Sequence, residues 1–139
     1  MFKRILFAHN ATSAAERALF YVEHLARVER AEVLVLHVYQ LPDRYADTEG
    51  YDTLVRQTEE VAREIVNDMV EQLQGEGISA YGMICAGKPG PKILETAREE
   101  DVSLIVLGTR GPSNVKDFLL GDVSTEVLRF ARCPVFLVP

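Results

Sequence analysis

Short unbroken apolar runs alternate along the chain with longer stretches whose apolar residues recur every three or four positions. Ile5–Ala8, Val33–Val38, Ser103–Leu107 and Pro134–Val138 are brief and almost wholly apolar, as strands covered on both faces are. Ile78–Ala86 reads as a further strand, less apolar than these, which predicts an edge position. Thr12 and Ser13 offer an N-cap before a helix of about 15 residues, with Ala14, Ala18, Tyr21, Val22 and Leu25 at helical spacing. A long helix is predicted over Tyr51–Gln74, with Leu54, Val61, Ile65, Met69 and Leu73 as its apolar stripe and Gly75 and Gly77 ending it. Gly87-Lys88-Pro89-Gly90-Pro91 turns the chain into a helix with Ile93, Leu94 and Ala97 facing inward, and a last helix spans Asp122–Arg132. Gln40–Gly50, with Pro42, Asp43, Asp47 and Gly50, reads as a loop.

This order, β-α-β-α-β-α-β-α-β, predicts an α/β fold with a single open five-stranded parallel sheet and helices on both faces. Right-handed crossovers leave a Rossmann-like or flavodoxin-like arrangement, with strand order 3-2-1-4-5. Ligands in such sheets sit beyond the carboxyl ends of the strands, where the strand order reverses. That point lies between strands one and four. The segments leaving those strands are His9-Asn10-Ala11-Thr12 and, after Leu107, Gly108-Thr109-Arg110-Gly111.

The second segment opens the strongest local pattern: Gly108-Thr109-Arg110-Gly111, nine residues, then Gly121-Asp122-Val123-Ser124. Glycine lets a backbone approach a ligand where a Cβ would collide. A helix starting after Gly121 presents free N–H donors and a positive dipole end, both suited to phosphate. Arg110 and Lys116 add positive charge. The competing reading is that the glycines only turn the chain on both sides of a loop; the loop's place after strand four favours a binding site.

The 139 residues fit one domain, 1–139, large enough to bury a core without disulfides or metal. A net charge of −6 and a pI near 5.1 argue against a nucleic-acid binder, which needs a basic surface. No run approaches the apolar length of a membrane span, and the N-terminal MFKRILFAHN is too short in apolar residues for a secretory leader. Cys85 and Cys133 are far apart and are expected as buried free thiols.

Taken together, Gly-x2-Gly-x9-Gly, the Ile5-Leu6-Phe7-Ala8 start, Leu36-His37-Val38 and the closing Cys133-Pro134-Val135 resemble the universal stress protein family over essentially the whole chain. The resemblance implies a cytoplasmic stress-response role and a homodimer through the last strand, Pro134 to Val138. It also implies an adenine-nucleotide site for ATP or AMP, present in some members and absent in others. Gly108, Gly111, Gly121, Ser124 and Val38 match the nucleotide-binding pattern, and His9, Leu107, Arg110 and Val123 lie beside the matching positions. Two positions depart from it. Asn10 stands where the family has an adenine-contacting aspartate, and Asp122 where a Ser or Thr meets phosphate. Asn keeps hydrogen-bonding capacity, whereas an acid repels phosphate and can cap the helix itself, unless a shared Mg²⁺ reverses the sign. The resemblance therefore implies a site that is weakened or Mg²⁺-dependent, with a nucleotide-free dimeric scaffold as the alternative.

The remaining polar residues carry less. No Ser, Cys or acid is spaced with His9 to form a triad, so no enzyme is expected beyond slow ATP hydrolysis. An adenylyl-transferring enzyme would need a HxGH motif or a Ser-Gly-Gly loop near the first strand, and His9-Asn10-Ala11-Thr12 is neither. His37 reads as a satisfied crevice-edge histidine and His24 as solvated. Glu59-Glu60 and Glu99-Glu100-Asp101 read as solvent faces rather than metal sites, and Arg56 and Arg63 as ion-pair partners on the long helix.

Overall fold

The computed structural model describes residues 1–10, 13–109 and 121–139. Its elements run β1 (Arg4–Ala8), α1 (Ser13–Glu29), β2 (Glu32–Tyr39), a 3₁₀ turn (Asp43–Tyr45), α2 (Tyr51–Gly75), β3 (Ala80–Ala86), α3 (Pro89–Glu99), β4 (Leu104–Gly108), α4 (Asp122–Phe130) and β5 (Val135–Val138). The strands form one parallel sheet in the order β3-β2-β1-β4-β5, as the alternating pattern predicts. The less apolar β3 and the terminal β5 take the two edges.

Strand alternation divides the core in two. Ile5 and Phe7 of β1, with Val33 and Val35 of β2, face α1 and α2 and pack with Val22, Val66 and Leu73. Leu6, Ala8, Leu34 and Leu36 face the other way, toward Ile93 of α3 and Val127 of α4. The central strands are therefore apolar at every position, which is why they read as unbroken runs. Residues that pass the carboxyl ends of these strands leave both cores and form the upper rim of the sheet.

Several boundaries and faces differ from expectation. The buried positions of α2 are Ala62, Val66 and Leu73, whereas Val61, read into the apolar stripe, is 56% exposed. Tyr21, read as inward on α1, lies at the helix flank against Phe136 of β5, with ring centroids 5.5 Å apart. The helix α2 runs through Gly75, and Gly77 with φ 79° closes it by donating its N–H to the Gln74 carbonyl. Ile78 belongs to that turn and not to the strand, since its N–H bonds the Leu73 carbonyl. The last helix stops at Phe130 rather than Arg132; Ala131 is already extended, leading the chain toward Pro134. Gln40–Gly50 is not plain loop: Tyr45 N–H bonds the Pro42 carbonyl, and Thr48 bonds the Tyr45 carbonyl through both N–H and hydroxyl. Thr12, offered as an N-cap, lies outside the described residues.

Candidate functional site

The rim between β1 and β4 holds a cavity of about 370 Å³ at the carboxyl ends of the strands. Its floor and sides come from Ala8, His9 and Asn10 after β1, Leu36 and Val38 of β2, and Leu107, Gly108 and Thr109 of β4. Pro89 and Ile93 of α3 and the Gly121–Ser124 start of α4 complete it. The volume suits a small organic ligand, and the wall is mainly apolar, with polar side chains from His9 and Asn10 after β1, Thr109 after β4 and Asp122 and Ser124 of α4.

Nine of the eleven residues expected at the site meet here: His9, Asn10, Val38, Leu107, Gly108, Gly121, Asp122, Val123 and Ser124. The other two, Arg110 and Gly111, lie outside the described residues, as does Lys116. Ala8, Leu36, Pro89 and Ile93 line the cavity without having been anticipated, and Thr109 joins them from the segment expected at the crevice. Strand alternation was a usable signal for two of them. Leu36 lies two residues before Val38 on the same face, and Ala8 pairs with Leu36 and Leu107 on its two neighbouring strands.

The two described glycines of the motif work differently. A Cβ on Gly108 would come within 2.8 Å of the Ala14 carbonyl carbon and the Ala15 nitrogen. Gly108 is thus required by the first turn of α1 seating on the end of β4, a packing reason additional to the expected approach of a ligand. Gly121 has an ordinary φ of −69° and, among the described residues, no heavy atom within 4 Å of a Cβ position, so none of these demands it. Space for a neighbour at the start of α4 is what its missing side chain leaves.

Asp122 also behaves differently from expectation. Gly121 is the N-cap of α4, with no capping side chain, and Asp122 is the first helical residue. The first helical bond runs from Thr125 N–H to the Gly121 carbonyl at 3.0 Å. The N–H groups of Asp122, Val123 and Ser124 precede it and have no partner among the described residues. Asp122 therefore adds charge to the helix start without occupying its donors.

His9 is 6% exposed and packs edge-on against Phe7, at 5.6 Å and 88°. Phe7 belongs to the core on the α1/α2 face, so the imidazole leans to that side of the sheet. Burial holds His9 below the ordinary histidine range, the nearby His37 adds to this, and Glu16 opposes it. His37 Nδ1–H donates to the His9 carbonyl at 2.6 Å, the satisfied crevice-edge role expected of it. Thr109, also buried, donates its N–H at 2.8 Å and its hydroxyl at 3.3 Å to the Val138 carbonyl, fixing β5 beside the cavity.

Away from the cavity, Cys85 and Cys133 are free and only half-buried, each thiol pushed up chiefly by desolvation. Arg63 approaches Glu59 at 3.9 Å on α2, an exposed pair of little energetic consequence. Glu100 faces inward more than expected, accepting the Tyr81 hydroxyl at 3.4 Å. Among the described residues no group of three or more His, Cys, Asp and Glu could hold a metal ion, and no helix is long and apolar enough to cross a membrane.

Comparison with known proteins gives a uniform result. A family model described as the universal stress protein family matches residues 1–139. The universal stress protein YxiE of Bacillus subtilis is 32% identical, over 99% of both chains. The universal stress protein MJ0577 of Methanocaldococcus jannaschii is 29% identical, over 99% of this chain and 95% of its own. The solved structure of MJ0577 superposes with a TM-score of 0.88, over 99% of this chain and 96% of the other. A universal stress protein from Archaeoglobus fulgidus in complex with dAMP shares the fold at TM-score 0.68 and 21% identity, over 100% of this chain and 98% of that one.

Proposed function

The chain belongs to the universal stress protein family, and on that premise we propose that it is a small stress-response regulatory module with an adenine-nucleotide site for ATP or AMP. The site is the cavity between β1 and β4, and the observation that carries the reading is the uncapped N-terminus of α4 opening into it. Three N–H donors without a partner among the described residues, with the helix dipole, offer a place for an anion, and Leu36, Val38, Ile93 and Leu107 offer an apolar wall for a base.

Asp122 sets the strength of binding. A carboxylate about 4 Å from a phosphate charge costs on the order of 1–4 kcal/mol, enough to lower affinity by one to three decades. Mg²⁺ would reverse that sign by sharing Asp122 with the phosphates, because it binds through one or two carboxylates plus substrate phosphates. Isothermal titration should thus detect ATP with Mg²⁺, or at millimolar concentration without it. No heat at millimolar ATP in either condition overturns the reading. Asp122→Ser should tighten ATP binding without Mg²⁺ by at least tenfold. The cavity holds no nucleophile paired with a base among the described residues, so the role is binding, with at most slow hydrolysis.

A second reading, a nucleotide-free dimeric scaffold, is favoured by the same Asp122 together with Asn10. Nucleotide released on denaturing the freshly purified protein separates the two readings: adenine nucleotide at a substantial fraction of the chain supports the first, and none supports the second. Both readings place the protein in the cytoplasm.

A further inference from the structure

The α4 end of the cavity offers two signs of charge side by side. The N–H groups of Asp122, Val123 and Ser124 precede the first helical bond and have no partner among the described residues. Ser124 is 4% exposed, lines the cavity, and its hydroxyl enters no hydrogen bond among the described residues. The hydroxyl is not among the sealed unpartnered atoms of the described residues, so it opens onto the cavity, where a ligand group can complete it. These donors and the helix dipole attract a negative group. The Asp122 carboxylate, exposed on the same wall, has no ion-pair partner among the described residues and attracts a positive one.

A phosphate meets only half of this arrangement and is repelled by the other half. An α-amino-acid head group meets both, because its carboxylate and ammonium are held on one carbon. The carboxylate can accept from the α4 donors and the Ser124 hydroxyl while the ammonium faces Asp122, each a charge-assisted contact. The rest of the cavity, apolar at Leu36, Val38, Ile93 and Leu107, suits an uncharged nucleoside body. We infer that the preferred ligand is an adenosine whose 5′ substituent ends in an amino-acid zwitterion, as in a 5′-thioether amino acid, rather than in phosphate. This rests on the reading of the cavity as an adenine site and specifies what that site holds at its α4 end.

The test is titration of the full chain, without divalent cations, with three probes: S-adenosylhomocysteine, AMP and adenosine. S-adenosylhomocysteine is expected to bind at least tenfold more tightly than either of the others. Asp122→Asn should remove most of that advantage and strengthen AMP, and Ser124→Ala should weaken S-adenosylhomocysteine while leaving the melting temperature unchanged or raised. AMP binding as well as S-adenosylhomocysteine to the unmodified chain overturns the inference and leaves the adenine site standing. Adenosine binding equally well does the same, since the head group is then unrecognised. If none of the three binds at millimolar concentration, the adenine site itself fails and the inference with it. Unchanged selectivity in a folded Asp122→Asn protein also overturns it.

Discussion

His9 and Asp122 show how far a side chain's neighbours change what its residue type suggests. His9 looks from its position like a ligand contact, yet its ring packs on Phe7 and is buried. Because burial holds its folded-state value below the ordinary 6.5, the neutral form is favoured in the native protein. As pH falls through 6.5, the unfolded chain takes up the proton before the folded one does. The contribution of His9 to stability is thus complete above pH 6.5 and lost as pH falls below it toward the lowered folded value. Urea unfolding at several pH values between 7.5 and 5 should show the natural chain losing stability on acidification more steeply than His9→Gln. Equal slopes would remove His9 from the pH dependence. Asp122 is legible as an acid at the α4 start, but a sequence cannot show that it stands one place inside the cap, where it adds charge and leaves the donors free. Gly108 is similar: its type was legible, its packing reason was not, because the Ala14 and Ala15 backbone that demands it comes from a segment far away in the chain.

Elements were more legible than their faces. The parallel sheet, its strand order and its edge strands follow from apolar runs alternating with helical periods, together with the handedness of crossovers. The register of α2 does not follow as easily. Val61, Ile65, Met69 and Leu73 recur every four residues, and each such step turns the helix about 40° beyond a full revolution. Over three steps Val61 ends about 120° from Leu73, so the row of large residues winds off the buried face that Ala62, Val66 and Leu73 define. Stability measurements can test this. Leu73→Ala, at a fully buried position, should cost about 2–5 kcal/mol. Val61→Ala, at an exposed one, should change stability by no more than about 0.5 kcal/mol. A large loss at Val61 in denaturant unfolding would mean that the buried face of α2 is the one its large residues suggest. The cavity inherits the same distinction: its strand-derived residues were readable from alternation, while Pro89 and Ile93 arrive only through the packing of α3 beside α4.

At the scale of the whole molecule, β5 is one of two edges that the open sheet leaves unpaired, the other being β3. β5 pairs with β4 on one side only, and its other edge carries unpaired backbone groups among the described residues, an arrangement that invites another strand. The helices on either side add apolar surface. On α1, Tyr21 meets Phe136 of β5, and Val28, two turns further along that flank, is 65% exposed. Arg17, one turn before Tyr21, donates to the Pro139 carbonyl at 3.0 Å and marks the same side of the helix. On α4, Leu128 is 43% exposed on the flank opposite Glu126, whose carboxylate lies against Gly90 of α3. An edge strand between two apolar flanks is self-complementary under a two-fold axis, which would close the β5 edge of both copies. A homodimer through Pro134–Val138 is therefore expected, with Val28 and Leu128 burying surface beside the paired strands. Sedimentation at micromolar concentration should give the mass of two chains. Val28→Glu with Leu128→Glu should give one folded chain of unchanged secondary structure, since both positions are exposed in the monomer. A natural chain that sediments as a monomer under those conditions removes the dimer; a dimer that survives both substitutions places its interface elsewhere.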